Sequence, residues 1–239
     1  MLDNLENKTI LITGSSRGIG AATARLAKKY GANVILHGKT DSQYLKKIAS
    51  ELNSKYIFCD VCNFNKVNEK VSKLETVDIL INNAGINPSK TFMELTEQDW
   101  LDVFRTNLLG SVNFSKAILP KMIEKKSGSI VNISSYKSLN YVAARPAYAS
   151  SKSALMRLTS SMAEEFASYN IRVNAVAPGF TETEMVNRTM SERIKKQIEK
   201  IPLGRMAKPE EVAETILFLA GDKSNYTTGA TFIVDGGLS

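Results

Sequence analysis

From Lys8 onward, short runs of apolar and β-branched residues alternate with longer segments whose apolar positions recur every three to four residues. The short runs suit strands and the longer segments suit amphipathic helices, so the pattern predicts repeated βαβ units around a parallel sheet. Seven strands are predicted, at residues 9–13, 33–37, 55–59, 79–82, 129–134, 172–177 and 231–234. Several are continuously apolar, as strands covered on both faces must be. Helices are predicted at residues 18–30, 41–53, 63–74, 97–125, 147–169 and 209–220. The last opens with Pro209-Glu210-Glu211, a proline and two acids that suit a helix's first turn and its dipole. Residues 181–200 break the alternation: they follow Pro178-Gly179, carry many charges, and have helical period without a strand. We read them as a lid over a substrate; the alternative is an ordinary surface helical insert.

Composition then narrows the picture. A chain of 239 residues, 43% of them hydrophobic and with no linker, repeat or low-complexity segment, is expected to form one domain over residues 1–239. The 31 basic residues exceed the 24 acidic ones for a net charge of +7, which suits nucleic acid, an acidic protein or an anionic cofactor. The basic residues are scattered and no aromatic platform is interleaved with them, so nucleic acid is not expected as a partner. No apolar run approaches the roughly 18 residues of a membrane span, and residues 1–8 are polar, so no membrane is expected and the cytoplasm is the expected compartment. Cys59 and Cys62 are spaced C-x-x-C, but without a second pair and with a single histidine no metal site is expected. Cys59 ends a strand rather than opening a helix, so both thiols read as inert.

The first strand runs into Thr13-Gly14-Ser15-Ser16-Arg17-Gly18-Ile19-Gly20, a glycine-rich turn that opens a helix. Small residues there let the chain turn tightly, let backbone N–H groups approach a pyrophosphate, and let the helix pack close to the sheet. Tyr148 and Lys152 form Y-x-x-x-K, one helical turn apart on one face. An unperturbed tyrosine has a pKa of about 10, and a neighbouring ammonium is expected to lower it.

The spacing G-x-x-x-G-x-G, together with Asn82-Asn83-Ala84-Gly85, Y-x-x-x-K, Pro178-Gly179 and Val234-Asp235-Gly236-Gly237, resembles the short-chain dehydrogenase/reductase family over nearly the whole chain. The resemblance implies an α/β fold, a single Rossmann-type doubly wound domain with a seven-stranded parallel sheet and helices on both faces. It implies a nicotinamide cofactor held by Gly14, Ser16, Arg17, Gly18, Ile19 and Gly20, by Asp60-Val61 at the adenine, and by Asn83, Ala84 and Gly85. Pro178, Gly179 and Thr181 would border it further on, and Lys152 would hold the nicotinamide ribose. Where NAD-using relatives carry Asp after the second strand, this chain has Gly38 followed by Lys39, so Lys39 and Arg17 point to NADP(H). His37 reads as a strand-end residue or a neighbour of the adenosine.

The same resemblance makes Tyr148, Lys152, Ser135 and Asn107 the catalytic residues. Ser135 stands thirteen residues before Tyr148, with Ser134 as the competing candidate. Asn107 would hold a water linking Lys152 to solvent. Nicotinamide-dependent reduction of a carbonyl to a secondary alcohol follows. The stretch 174–185 and Ile201-Pro202-Leu203-Gly204-Arg205 are most similar to bacterial 3-oxoacyl-acyl-carrier-protein reductases, which implies an acyl-carrier-bound substrate in fatty-acid synthesis and a homotetramer. For an acidic carrier, Lys121, Lys125 and Lys126 would be the docking rim. The stretch between Ser135 and Tyr148 departs from those reductases, with Arg145 in place of the usual glutamine and Lys137 nearby. A smaller anionic or sugar-derived carbonyl therefore stays open as the substrate, with Arg145 facing either the pocket or solvent. A non-catalytic NADP-binding role is the remaining alternative.

Overall fold

Along β1 (Thr9–Ile12), Ile10 and Ile12 face one layer of helices and Leu11 the other, and all three are fully buried. The same two-sided burial recurs in β2 (Asn33–Gly38), where Val34 and Leu36 take the first layer and Ile35 the second. Strands apolar on both faces need helices on both faces, and the rest of the chain supplies them. The computed structural model describes residues 5–139, 145–187 and 190–239. Its further strands are β3 (Lys55–Phe58), β4 (Ile79–Asn82), β5 (Gly128–Ile133), β6 (Ile171–Pro178) and β7 (Thr231–Val234). All seven pair in parallel in the order β3-β2-β1-β4-β5-β6-β7.

The helices are α1 (Gly18–Lys29), α2 (Gln43–Glu51), α3 (Phe64–Ser72), α4 (Glu97–Phe104), α5 (Gly110–Lys125), α6 (Pro146–Phe166), α7 (Glu184–Asn187), α8 (Glu192–Ile198) and α9 (Pro209–Ala220). Apolar residues of α1, α2 and α9 share a core with Ile10 and Ile12, whereas those of α3, α5 and α6 share one with Leu11. The strand order reverses between β2-β1 and β1-β4, so a crevice opens beyond the C-terminal ends of β1 and β4, where doubly wound sheets bind ligands.

Boundaries move by a residue or two from the sequence pattern: Thr13, Cys59 and Ser134 lie just past their strands, and α2 and α3 are shorter at both ends than the periodicity predicts. One difference has more content. The long helix predicted over residues 97–125 is present, but a π-turn, Arg105–Leu109, joins α4 to α5. Such insertions concentrate at functional sites, and this one contains Asn107. The 181–200 stretch forms α7 and α8, whose Ile194 joins Tyr136, Phe180 and Ile201 in a small separate core. Among the described residues no helix is long and apolar enough to cross a membrane.

Candidate active site

The glycine loop is held by the turn after β4. Gly14 has φ +63°, and a Cβ there would lie 2.9 Å from the Cα of Ala84. A Cβ on Gly20 would lie 2.5 Å from the side-chain nitrogen of Asn83, so side chains are excluded from both positions by backbone approach and packing. Asn83 donates from that nitrogen to the carbonyls of Thr13 at 2.9 Å and Gly14 at 3.0 Å. The Thr13 hydroxyl in turn accepts the backbone N–H groups of Asn83 and Ala84. The sequence marks Thr13 only as the head of the glycine turn; its support role comes from these contacts with the turn after β4. Ser42 and Asn63 cap α2 and α3 with their side chains, but Arg17 does not cap α1, whose first-turn N–H groups are left for a ligand. A tight glycine-rich turn leading to an uncapped helix start fits a dinucleotide pyrophosphate.

On the adenosine side, Gly38 ends β2, and a Cβ there would meet the Leu45 side chain at 3.0 Å. A carboxylate at this position would require Leu45 to move. Lys39 follows and pairs with Asp60 at 2.8 Å, while Arg17 pairs with Glu184 at 3.1 Å. His37 sits within β2 rather than at its end, buried beneath the loop. Its Nδ1 accepts the Gly14 N–H at 3.3 Å and its Nε2 lies 3.0 Å from the Cys59 carbonyl, which fixes the neutral Nε2–H tautomer. Burial holds its pKa down at about 4. Cys59 is buried and Cys62 exposed, both as free thiols; burial pushes the Cys59 thiol up to about 11.

At the chemical end, α6 starts with Pro146 and carries Tyr148 and Lys152 into the crevice opposite the end of β5. Ser135 stands beside Tyr148 in the crevice and accepts the N–H of Lys137. Ser134 instead donates to the Lys152 carbonyl at 3.0 Å, so the two neighbouring serines face different ways, one toward Tyr148 and one toward the scaffold. Lys152 is buried and donates from Nζ to the Ile133 carbonyl at 2.6 Å. The expected lowering of the Tyr148 pKa by Lys152 does not hold in this arrangement. Burial raises Tyr148, opposed by the Ser135 hydrogen bond and then by the charge of Arg145; Lys152 is itself lowered by burial to about 8. Its ammonium is turned toward a carbonyl, 6.0 Å from the tyrosine ring centre. Asn107 is buried in the π-turn, where its Oδ1 accepts the Ile86 N–H at 2.8 Å and its Nδ2 donates to the Ile86 carbonyl and to Ser151, each at 3.0 Å. Its side chain is a clamp between the turn after β4 and α6.

The crevice is a pocket at the C-terminal edge of the sheet. It is lined by Asn83, Gly85, Ser135, Tyr148, Lys152, Pro178, Gly179 and Thr181 from the sequence-predicted set. Lys137, Arg145, Phe180, Met185 and Ile194 line it as well. Arg145 therefore faces the pocket, not solvent, and only 6% of it is exposed. Asn140 and Tyr141 of the same loop lie outside the described residues.

A family model described as enoyl-(acyl carrier protein) reductase matches residues 14–239. The 3-oxoacyl-[acyl-carrier-protein] reductase FabG of Thermotoga maritima is 42% identical over 242 residues, covering 98% of each chain. The chain belongs to the short-chain dehydrogenase/reductase family. It is an NAD(P)-dependent oxidoreductase. Among solved structures, a 3-oxoacyl-[acyl-carrier protein] reductase from Brucella melitensis superposes with a TM-score of 0.91 at 33% identity, covering 98% of this chain and 92% of that one. A gluconate 5-dehydrogenase from Burkholderia cenocepacia, in complex with NADP and tartrate, has a TM-score of 0.93 at 30% identity, with 98% and 96% covered.

Within this short-chain dehydrogenase/reductase fold, the basic rim expected at Lys121, Lys125 and Lys126 is in the wrong place for docking beside the site. Lys121 donates to the Leu74 carbonyl and Lys125 pairs with Asp78, immediately before β4. They sit at the N-terminal edge of the sheet, whereas the crevice lies at the C-terminal edge.

Proposed function

We propose that the protein is an NADPH-dependent 3-oxoacyl-[acyl-carrier-protein] reductase, reducing the β-keto group of an acyl thioester to a secondary alcohol. The observation that carries this reading is the half-buried Tyr148, set beside Ser135 and lining a crevice bordered by the glycine loop's partners. Full-length relatives named as such reductases support the substrate.

Gly14, Ser16, Arg17, Gly18, Ile19 and Gly20 hold the pyrophosphate, Asp60 and Val61 flank the adenine, and Asn83, Ala84, Gly85, Pro178, Gly179 and Thr181 border the rest. When bound, the nicotinamide cofactor supplies the hydride for the carbonyl carbon. Tyr148 protonates the developing alkoxide; burial keeps its proton on near neutrality, which suits an acid in the direction of reduction. Ser135 polarises the carbonyl oxygen with its hydroxyl. With the cofactor bound, Lys152 would hold the nicotinamide ribose and supply positive charge beside Tyr148. Asn107 holds α6 at its distance from the turn after β4.

Gly38, Lys39 and Arg17 favour NADPH, since the carboxylate partners of both cations are exposed, and exposed ion pairs contribute only about 0–1 kcal/mol each. A 2′-phosphate exchanges for them readily. A homotetramer built on α4, α5 and α6 is supported by exposed Leu101 and Leu109. The test is consumption of NADPH with acetoacetyl-carrier protein: rapid oxidation is expected, and none at all contradicts the reading.

A further inference from the structure

Two cations line the crevice beside Tyr148, and among the described residues no acid pairs with either. Lys137 follows Ser135 by two residues, and Arg145 precedes Tyr148 by three, so the chain brings both to the wall that carries the proton donor. Each is only 6% exposed. Among the described residues neither side chain makes a salt bridge or a hydrogen bond to a carboxylate. The Lys137 ammonium instead lies 5.9 Å from the ring centre of Tyr136 and 5.4 Å from that of Phe180, so its stem is ordered in the apolar wall.

The groups that face these cations make the imbalance worse. Burial, and then the positive charges of Arg145 and of Arg193 on α8, bring the Lys137 pKa down to about 8. Arg145 has Tyr148 and Tyr136 as its titratable neighbours, and Asp235 acts on Tyr136 but is already engaged by the N–H groups of Gly237 and Ser239. Buried charges are normally paired, because desolvating an unpaired one costs several kcal/mol. Arg145 also adopts φ +135°, a conformation that side-chain-bearing residues rarely take, and it does so directly before Pro146. A solvated arginine would have no need of either condition.

We propose that Lys137 and Arg145 form an anion subsite of the catalytic pocket, so that the same centre reduces carbonyl compounds bearing a carboxylate or phosphate near the carbonyl. The inference rests on the reading that Tyr148 and Ser135 mark the carbonyl oxygen, and it extends the substrate range beyond neutral acyl chains. The anion enters between the guanidinium fork and the ammonium, satisfies both, and holds the carbonyl at the tyrosine. Arg193 on α8 adds a positive charge at the rim of the same pole.

Matched pairs of substrates test this: acetoacetate against its methyl ester, and dihydroxyacetone phosphate against dihydroxyacetone. The wild-type enzyme is expected to favour the charged member of at least one pair by roughly tenfold or more in kcat/KM, and which pair responds separates carboxylate from phosphate. Arg145→Gln and Lys137→Met should each reduce that charged-to-neutral ratio by roughly 10- to 100-fold, with Arg145→Lys retaining more of it. A wild-type ratio near one in both pairs, or a ratio unmoved in both variants, overturns the proposal. Calorimetric binding of malonate and of inorganic phosphate to the NADPH-loaded protein gives a readout independent of turnover. Binding of either that is lost in Arg145→Gln supports the subsite even if no thioester is reduced, in which case only the acyl-carrier reading fails. No binding of either anion counts against the subsite.

Discussion

The Nδ1 atom of His37 accepts the backbone N–H of Gly14, so the only histidine of the chain supports the glycine loop from below in its neutral form. Protonation would put a donor against a donor at that contact. The folded-state pKa, about 4, lies below the ordinary value of 6.5, so the unfolded chain takes up a proton first as pH falls. The stability this gives is complete above pH 6.5 and is lost as pH drops toward 4. Urea unfolding at pH 7 and 4.5 should therefore differ by about 2–3 kcal/mol from this residue alone. His37→Gln should shrink the difference between the two pH values; an unchanged difference contradicts the assignment.

Asn107 bridges Ile86 and Ser151 through three hydrogen bonds within the π-turn. Truncation in Asn107→Ala removes the partners of the Ile86 backbone and of the buried Ser151, and leaving a buried polar group unsatisfied costs about 1–3 kcal/mol. Chemical denaturation is expected to show a loss of about 2–4 kcal/mol together with reduced turnover. Reduced turnover at full stability would instead leave Asn107 with a role only in the proton path.

Most of this architecture was legible in the sequence because strands such as Ile10-Leu11-Ile12 are apolar on both faces, and that pattern has few structural solutions. The candidate catalytic positions were legible because Tyr148 and Lys152 share a helix and Ser135 lies two residues past a strand, thirteen residues before Tyr148. What was not legible depends on contacts between distant segments. The π-turn needs the clamp from Asn107 to Ile86, and the support role of Thr13 needs Asn83 and Ala84 seventy residues on. The expected influence of Lys152 on Tyr148 failed for a similar reason, since the Ile133 carbonyl that draws the ammonium away comes from another strand. The docking lysines misled because sequence gives a basic helix end without saying which edge of the sheet it meets.

Cofactor choice follows from Gly38, Lys39 and Arg17. NADPH should bind at least about tenfold tighter than NADH, a difference of about 1.4 kcal/mol, in a fluorescence titration. Lys39→Glu should narrow that gap by weakening NADPH and leaving NADH less affected. Equal affinities in the wild-type protein contradict the assignment.

Exposed apolar side chains on α4 and the π-turn, Leu101 and Leu109 among them, suit burial against a second copy of the chain. Light scattering at micromolar concentration should give a tetramer. A monomer at that concentration is the contrary result.

The central claim is that Tyr148 donates the proton to the reduced carbonyl. Tyr148→Phe deletes that hydroxyl and keeps the ring, so the buried packing of α6 is nearly preserved. General acid catalysis contributes typically about 10²- to 10⁴-fold, and the variant should lose at least that much in NADPH oxidation with an acetoacetyl thioester. NADPH binding, followed by fluorescence in the same samples, should stay within about threefold of the wild-type protein. Near-wild-type turnover by Tyr148→Phe would contradict the account.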